Sequence, residues 1–213
     1  MTILENYKKI ISDFNESNKK VTLIAVSKTF SIDFIKPLID FGHKDYGENK
    51  VQEAINKWSE IIKKVPDIKI HMVGKLQTNK AKDAVKIFSY IHSLDNEKLA
   101  NQLASEEKKI GKNLKYFIQV NVGDEAQKSG VSIKDSDFFI NYCINNLKLD
   151  VLGLMCIPPI NQSSGKYFKE LKQLASNHKL SELSMGMSHD YKEAINFGAT
   201  FVRIGSSIFG DRK

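Results

Sequence analysis

A chain of 213 residues that is 41% hydrophobic carries enough apolar side chain for a sizeable core, and too much for a disordered chain. It has no apolar run of about 18 residues, so no membrane span is expected. The net charge of +7 comes from 30 Lys and 2 Arg against 25 acidic residues. The lysines are spread along the whole chain, with no basic stripe and no groove-reading motif, which argues against a nucleic-acid partner.

In chain order, MTILENYKKIISDFNESNKK places Ile3, Leu4, Tyr7, Ile10, Ile11 and Phe14 at helical spacing and predicts an amphipathic N-terminal helix. The stretch lacks the basic start, apolar middle and small-residue cleavage site of a signal peptide, so a cytoplasmic location is the default expectation. VTLIAVSK (21–28) reads as a buried strand that ends on Lys28. SIDFIKPLIDFG reads as a helix capped by Ser31, with Pro37 inside it. KDYGEN (44–49) is the second strand. NKVQEAINKWSEIIKKV then puts Val51, Ile55, Trp58 and Ile62 on one helical face. The strands IKIHMVG (68–74) and YIHSL (90–94) precede a helix expected to start at Asp95 and stop at Gly111. The strands KYFIQVNV (115–122), LDVLGLMCI (149–157) and ELSMGM (182–187) come next. SHDYKEAINFG forms a last clear helix ending at Gly198, and FVRIGSS (201–207) is the eighth strand. Cys143 and Cys156 show no metal-type spacing and read as buried thiols rather than a disulfide.

Eight strands alternating with helices over short connections imply a parallel sheet. An open doubly wound sheet could hold eight strands. A closed barrel fits the count and the absence of a glycine-rich first turn. The expectation is therefore α/β, a single (β/α)8 TIM-type barrel with an extra N-terminal helix, as one domain over 1–213.

In such barrels chemistry sits at the C-terminal ends of the strands. The polar residues there are Lys28, then Glu48 and Asn49, then Asn121, Ser188, and Arg203 with Gly205, Ser206 and Ser207. His71 lies within the third strand and reads as a supporting core residue. A desolvated Lys28 would be a nucleophile toward carbonyls; a salt-bridged structural lysine is the competing reading. Gly186 would let backbone approach a ligand. Ser188 would offer a hydroxyl at a helix start, or merely cap that helix. Loops after strands seven and eight are neighbours in a barrel, so donors from Ser188 and from Gly205-Ser206-Ser207 would converge on one phosphate. Arg203, chosen in a chain that otherwise uses lysine, suggests a site needing a planar permanent charge, for a ring nitrogen or a phosphate. His43, His92, His178 and His189 show no metal spacing.

At these residues the chain resembles the pyridoxal phosphate homeostasis protein family, which shares its fold with the barrel domain of alanine racemase. The matching segments are AVSKT (25–29), YGENKVQE (46–53), HMVGKLQTNK (71–80), IHSLDNEKLA (91–100), QVNVGDEAQKSG (119–130), GLMCIPP (153–159) and LSMGMSHDYKEAINFGATFVRIGSSIFG (183–210). The resemblance implies a pyridoxal 5′-phosphate cofactor with Lys28 carrying the aldimine. It places Ser188, Gly205 and Ser206 on the phosphate, Asn49 in the pocket, and Arg203 at the cofactor, facing the pyridine nitrogen or the phosphate. His189 stands where an acidic residue is common, and Ser206 where threonine often occurs. The resemblance further implies a non-enzymatic carrier and buffer of the cofactor that contributes to vitamin B6 and amino-acid homeostasis, with acceptor pyridoxal-phosphate enzymes as partners. An arginine at the ring nitrogen makes the cofactor a weak electron sink, and Lys28 would supply only one of the two bases that racemisation needs. A weak racemase is the alternative. With no interface patch in the sequence, a monomer is expected.

Overall fold

The computed structural model describes residues 2–16, 20–125 and 127–210. Eight parallel strands close into a barrel: β1 (Thr22–Val26), β2 (Asp45–Glu48), β3 (Lys69–Met72), β4 (Tyr90–Leu94), β5 (Lys115–Asn121), β6 (Asp150–Met155), β7 (Glu182–Met187) and β8 (Phe201–Ile204). Each strand pairs with the next, and β8 pairs with β1, Leu23 opposite Val202 and Ile24 opposite Arg203. A two-residue bridge, Val131–Ser132, adds to the end of β5. Every run read as a strand from the sequence contains one; YIHSL and ELSMGM keep their full length and the other six are trimmed.

The helices are α1 (Ile3–Glu16), α2 (Ile32–Asp40), α3 (Val51–Lys64), α4 (Ala81–Ile87), α5 (Glu97–Ile110), α6 (Ile133–Asn141), α7 (Gly165–Asn177), α8 (Tyr191–Phe197) and α9 (Ser206–Phe209). Ser31 caps α2, its Oγ accepting from Phe34 N–H at 3.3 Å. Asn96 rather than Asp95 caps α5, accepting from Leu99 N–H at 2.9 Å. Both α5 and α8 stop at left-handed glycines, Gly111 and Gly198, as the cap asymmetry requires. Four helices were not singled out from sequence, and the short α9 takes Ser206 and Ser207 from the run read as the eighth strand. α4 has only seven residues, α6 runs on into a π-helical turn at Tyr142–Asn146, and α7 opens on a glycine without a side-chain cap. No helix among the described residues is long and apolar enough to cross a membrane.

Strand alternation sorts the side chains into two layers. Outward residues such as Leu23, Ala25, Tyr46, Ile70 and Ile91 pack under the helices in the large core. Inward residues Ile24, Val26, Tyr90, Phe117, Met155 and Phe201 form a separate small cluster inside the barrel. Outside the barrel, α1 buries Ile10 and Phe14. Its Asn6 side-chain amide donates to Ile208 O at 3.1 Å in α9, while Asp13 accepts from Tyr191 Oη at 2.6 Å and Lys192 Nζ at 3.0 Å in α8.

Candidate functional site

Inward parity along β1 runs Ile24, Val26 and then Lys28, so the lysine continues the interior row as the strand leaves the barrel. Its side chain is half-buried at the C-terminal mouth. Both chain neighbours of Lys28 are pinned to α3. Ser27 Oγ donates to Glu48 Oε1 at 2.8 Å, and Ser27 O accepts from Lys57 Nζ at 2.9 Å. Thr29 N–H donates to Glu53 Oε1. The Lys57 ammonium also reaches Glu48 at 2.9 Å and Glu53 at 3.0 Å. Thr29 has φ of +71°, an outlier for a β-branched residue. Such a conformation costs on the order of 1–3 kcal/mol and persists only where its surroundings over-determine it.

Across the mouth, Asp190 builds the turn after β7. Its Oδ1 accepts from Met187 N–H at 2.6 Å and its Oδ2 from Ser164 Oγ at 3.0 Å. The turn presents Ser188 to the loop after β8. Gly205 and Ser207 N–H groups point at Ser188 Oγ from 3.4 and 3.3 Å. These are long bonds, so a better acceptor would compete well for both donors. Gly205 lies close to β1: a Cβ there would sit 3.3 Å from Val26 O.

Arg203, third residue of β8, points into the barrel and is buried. Its Nη1 donates to Ser184 Oγ at 2.7 Å and its Nη2 to Cys156 O at 2.9 Å. No carboxylate forms an ion pair with it among the described residues. Burial lowers its pKa from the usual arginine value, yet a guanidinium stays charged in proteins. A buried cation without a contacting carboxylate, felt by Asp190 only at a distance, is costly, and a bound anion or a ring acceptor would offset it.

These parts enclose one cavity of about 290 Å³, lined by Lys28, Asn49, Ser188, Arg203, Gly205 and Ser206 together with Val26, Val73, Ile157, Met187 and His189. All six residues assigned to the cofactor from sequence thus meet in one place, which suits a small phosphorylated ring with an aldehyde.

Other residues flagged from the sequence lie elsewhere. Glu48 is fully buried but faces outward, where its Oε1 also accepts from Trp58 Nε1 at 3.0 Å. Strand parity gives the pocket to its neighbour Asn49 instead. Burial raises the Glu48 pKa, against the pull of Trp58, Lys57 and Ser27. Asn121 organises its own loop, binding Glu125 O at 2.9 Å. Gly186 does not approach the cavity: its φ is +91°, and a Cβ there would lie 2.6 Å from the Ala194 side chain on α8. Ser188 does not cap α8, since Asp190 holds that position. Cys143 and Cys156 are buried free thiols, their pKa values pushed up to about 12, chiefly by burial. Among the described residues no group of three or more His, Cys, Asp or Glu could hold a metal ion.

Comparison with known proteins places this geometry. The family described as alanine racemase, N-terminal domain, matches residues 2–213. The pyridoxal phosphate homeostasis protein of Aquifex aeolicus (strain VF5) is 37% identical over 220 residues, covering 99% of this chain and 96% of that protein. The protein of the same name from Synechocystis sp. is 38% identical over 215 residues, covering 97% of each. Among solved structures, PipY of Synechococcus elongatus PCC7942 with pyridoxal phosphate bound superposes with a TM-score of 0.88 at 33% identity, over 98% of this chain and 100% of that one.

Proposed function

Since this chain belongs to the alanine racemase N-terminal domain family, alongside the pyridoxal phosphate homeostasis proteins, we propose that it binds pyridoxal 5′-phosphate in the cavity at the barrel mouth and acts as its carrier and buffer. One observation carries this reading: a half-buried amine, an anion cradle and a buried guanidinium without an ion-pair partner share one small cavity. When bound, the group supplies a reactive aldehyde that condenses reversibly with amines.

The residues of the chain divide the work. Lys28 offers the amine, held at the mouth by the anchoring of Ser27 and Thr29 to α3. Ser188 Oγ with the Gly205 and Ser207 N–H groups, and Ser206 beside them, grips a phosphate. Arg203 lies deeper than that cradle, in the strand itself, so it faces the ring end and presents N–H donors there. Asn49 closes the β2 side. Reversible sequestration in a small cavity keeps a free aldehyde scarce and leaves it exchangeable with the amine of an acceptor enzyme.

Catalysis needs more than the cavity offers. Among its described lining residues, Lys28 and His189 are the side chains of the kinds that serve as general bases. His189 is mostly exposed and sits 3.4 Å from Asp190, a poor anchor for a base that must address one face of a substrate. We therefore favour the carrier over the racemase.

Incubation with pyridoxal 5′-phosphate, reduction with borohydride and peptide mapping should place a single pyridoxyl adduct on Lys28. An adduct spread over surface lysines would overturn the assignment. Incubation with L-amino acids in deuterated water should give no exchange at Cα above the rate of free cofactor; enzymatic exchange would replace the carrier with an enzyme.

A further inference from the structure

The barrel interior is not wholly apolar. A line of polar side chains crosses it, beginning at the part-buried Asp45 on β2 and continuing through buried residues. Asp45 Oδ1 lies 3.0 Å from His71 Nε2, His71 Nδ1 lies 3.0 Å from His92 Nε2, and His92 Nδ1 lies 2.8 Å from Ser184 Oγ. Ser184 Oγ then accepts from Arg203 Nη1 at 2.7 Å. The line follows the wall from β2 through β3 to β4, crosses the interior to β7 and steps to β8. His71 stacks on Tyr90 at 4.3 Å between ring centroids and His92 on Phe117 at 4.4 Å, so neither ring can swing aside.

The proton positions along this line are forced. An arginine has donors only, so Ser184 Oγ must accept from it. Ser184 Oγ keeps its own proton to give to His92 Nδ1, the arrangement in which His92 carries its proton on Nε2. That N–H needs an acceptor, and His71 Nδ1 supplies it. His71 therefore also carries its proton on Nε2 and donates it to Asp45, which can only accept. Working back from the carboxylate gives the same answer. A second proton on His71 would set its Nδ1–H against the His92 Nε2–H.

We propose that Asp45, His71, His92 and Ser184 are positioning residues, a one-way hydrogen-bond chain that locks both histidines as neutral Nε2–H tautomers and fixes the Arg203 fork for the ligand in the cavity. This deepens the cofactor reading and rests on it for the identity of the ligand. Burial of both histidines, reinforced at His92 by the Arg203 guanidinium, lowers their pKa values and agrees with the neutral state. The charged groups acting on His71 are Asp45 from β2 and Lys69 from its own strand.

Two measurements test the chain. Long-range ¹H–¹⁵N correlation on the apo-protein should show His71 and His92 protonated at Nε2 and invariant from about pH 5.5 to 8. A proton on Nδ1 of either ring, or titration of either, overturns the proposal with no cofactor present. Second, His92→Phe should weaken pyridoxal 5′-phosphate binding by roughly tenfold or more and shift the absorbance maximum of the bound form. His92→Gln, whose amide can both donate to His71 and accept from Ser184, should restore both. Wild-type affinity and spectrum in His92→Phe overturn the chain, and should that variant not fold, the tautomers of the wild-type protein still decide. Failure of the cofactor reading itself shows separately, as absence of a Lys28 adduct in the wild type.

Discussion

Lys57 never enters the cavity, yet it fixes the backbone on which Lys28 stands. Its side chain is 8% exposed and its partner Glu48 is fully buried. Removing one member of such a pair costs roughly 3–5 kcal/mol, because the other is left charged without compensation. Lys57→Met should lower stability in urea by about that amount and weaken cofactor binding as Ser27 O loses its donor. The Glu48 carboxyl, already raised by burial, rises further in the variant. A raised carboxyl contributes stability below its unfolded value of about 4.5 that is lost as pH climbs through the folded value, so the deficit should widen with pH. A loss under about 1 kcal/mol would show that the pair is not needed. Lys28→Ala, by contrast, should abolish the covalent adduct and leave the circular dichroism spectrum intact. At this scale the sequence was legible where chemistry follows strand ends, as at Lys28, Ser188 and Arg203. It was silent where contacts join distant strands: nothing in the spacing of Asp45, His71, His92 and Ser184 announces that they touch. Glu48 and Asn49 could have been told apart, because parity from Tyr46 outward sends 48 to the helices and 49 to the interior.

Helix α1 is the element with the most to reveal about the site, since it holds α8 and α9, which flank the phosphate cradle. Asp13 receives a phenol and an ammonium from α8, and hydrogen bonds to charged groups are worth about 1.5–3 kcal/mol each. Asp13→Ala should cost on the order of 2 kcal/mol and lower cofactor affinity through a loosened β7–α8 turn. Unchanged melting and binding would mean α1 is only packing. The strands were readable because each is a short β-rich run bounded by turn residues, and α1, α2, α3, α5 and α8 because their apolar stripes or caps are strong. α4, α6, α7 and α9 were not, because two short helices, a π-helical extension and a glycine start all blur the helical period.

For the molecule as a whole, buried histidines set its response to acid. His43, His71 and His92 are all held below the usual histidine pKa by burial. Once unfolded, each takes up a proton as pH drops below about 6.5, so stability falls with falling pH by up to about 1.4 kcal/mol per pH unit for each. The slope of stability against pH below 6.5 should be shallower in His92→Gln than in the wild type by about one histidine's share; identical slopes would mean that His92 is protonated in the folded state.

Closure of the barrel by β8 between β7 and β1 also orders events in time. β8 carries Arg203 and leads directly into Gly205 and Ser206, while Lys28 follows β1, so the binding residues come from strands far apart in the chain. A nascent or refolding chain has no cavity until its most distant pairing is made, a late and slow event for non-local topology. The vitamer therefore cannot template folding and can only capture the finished barrel. Refolding rates should be indifferent to its concentration, while unfolding slows in proportion to occupancy.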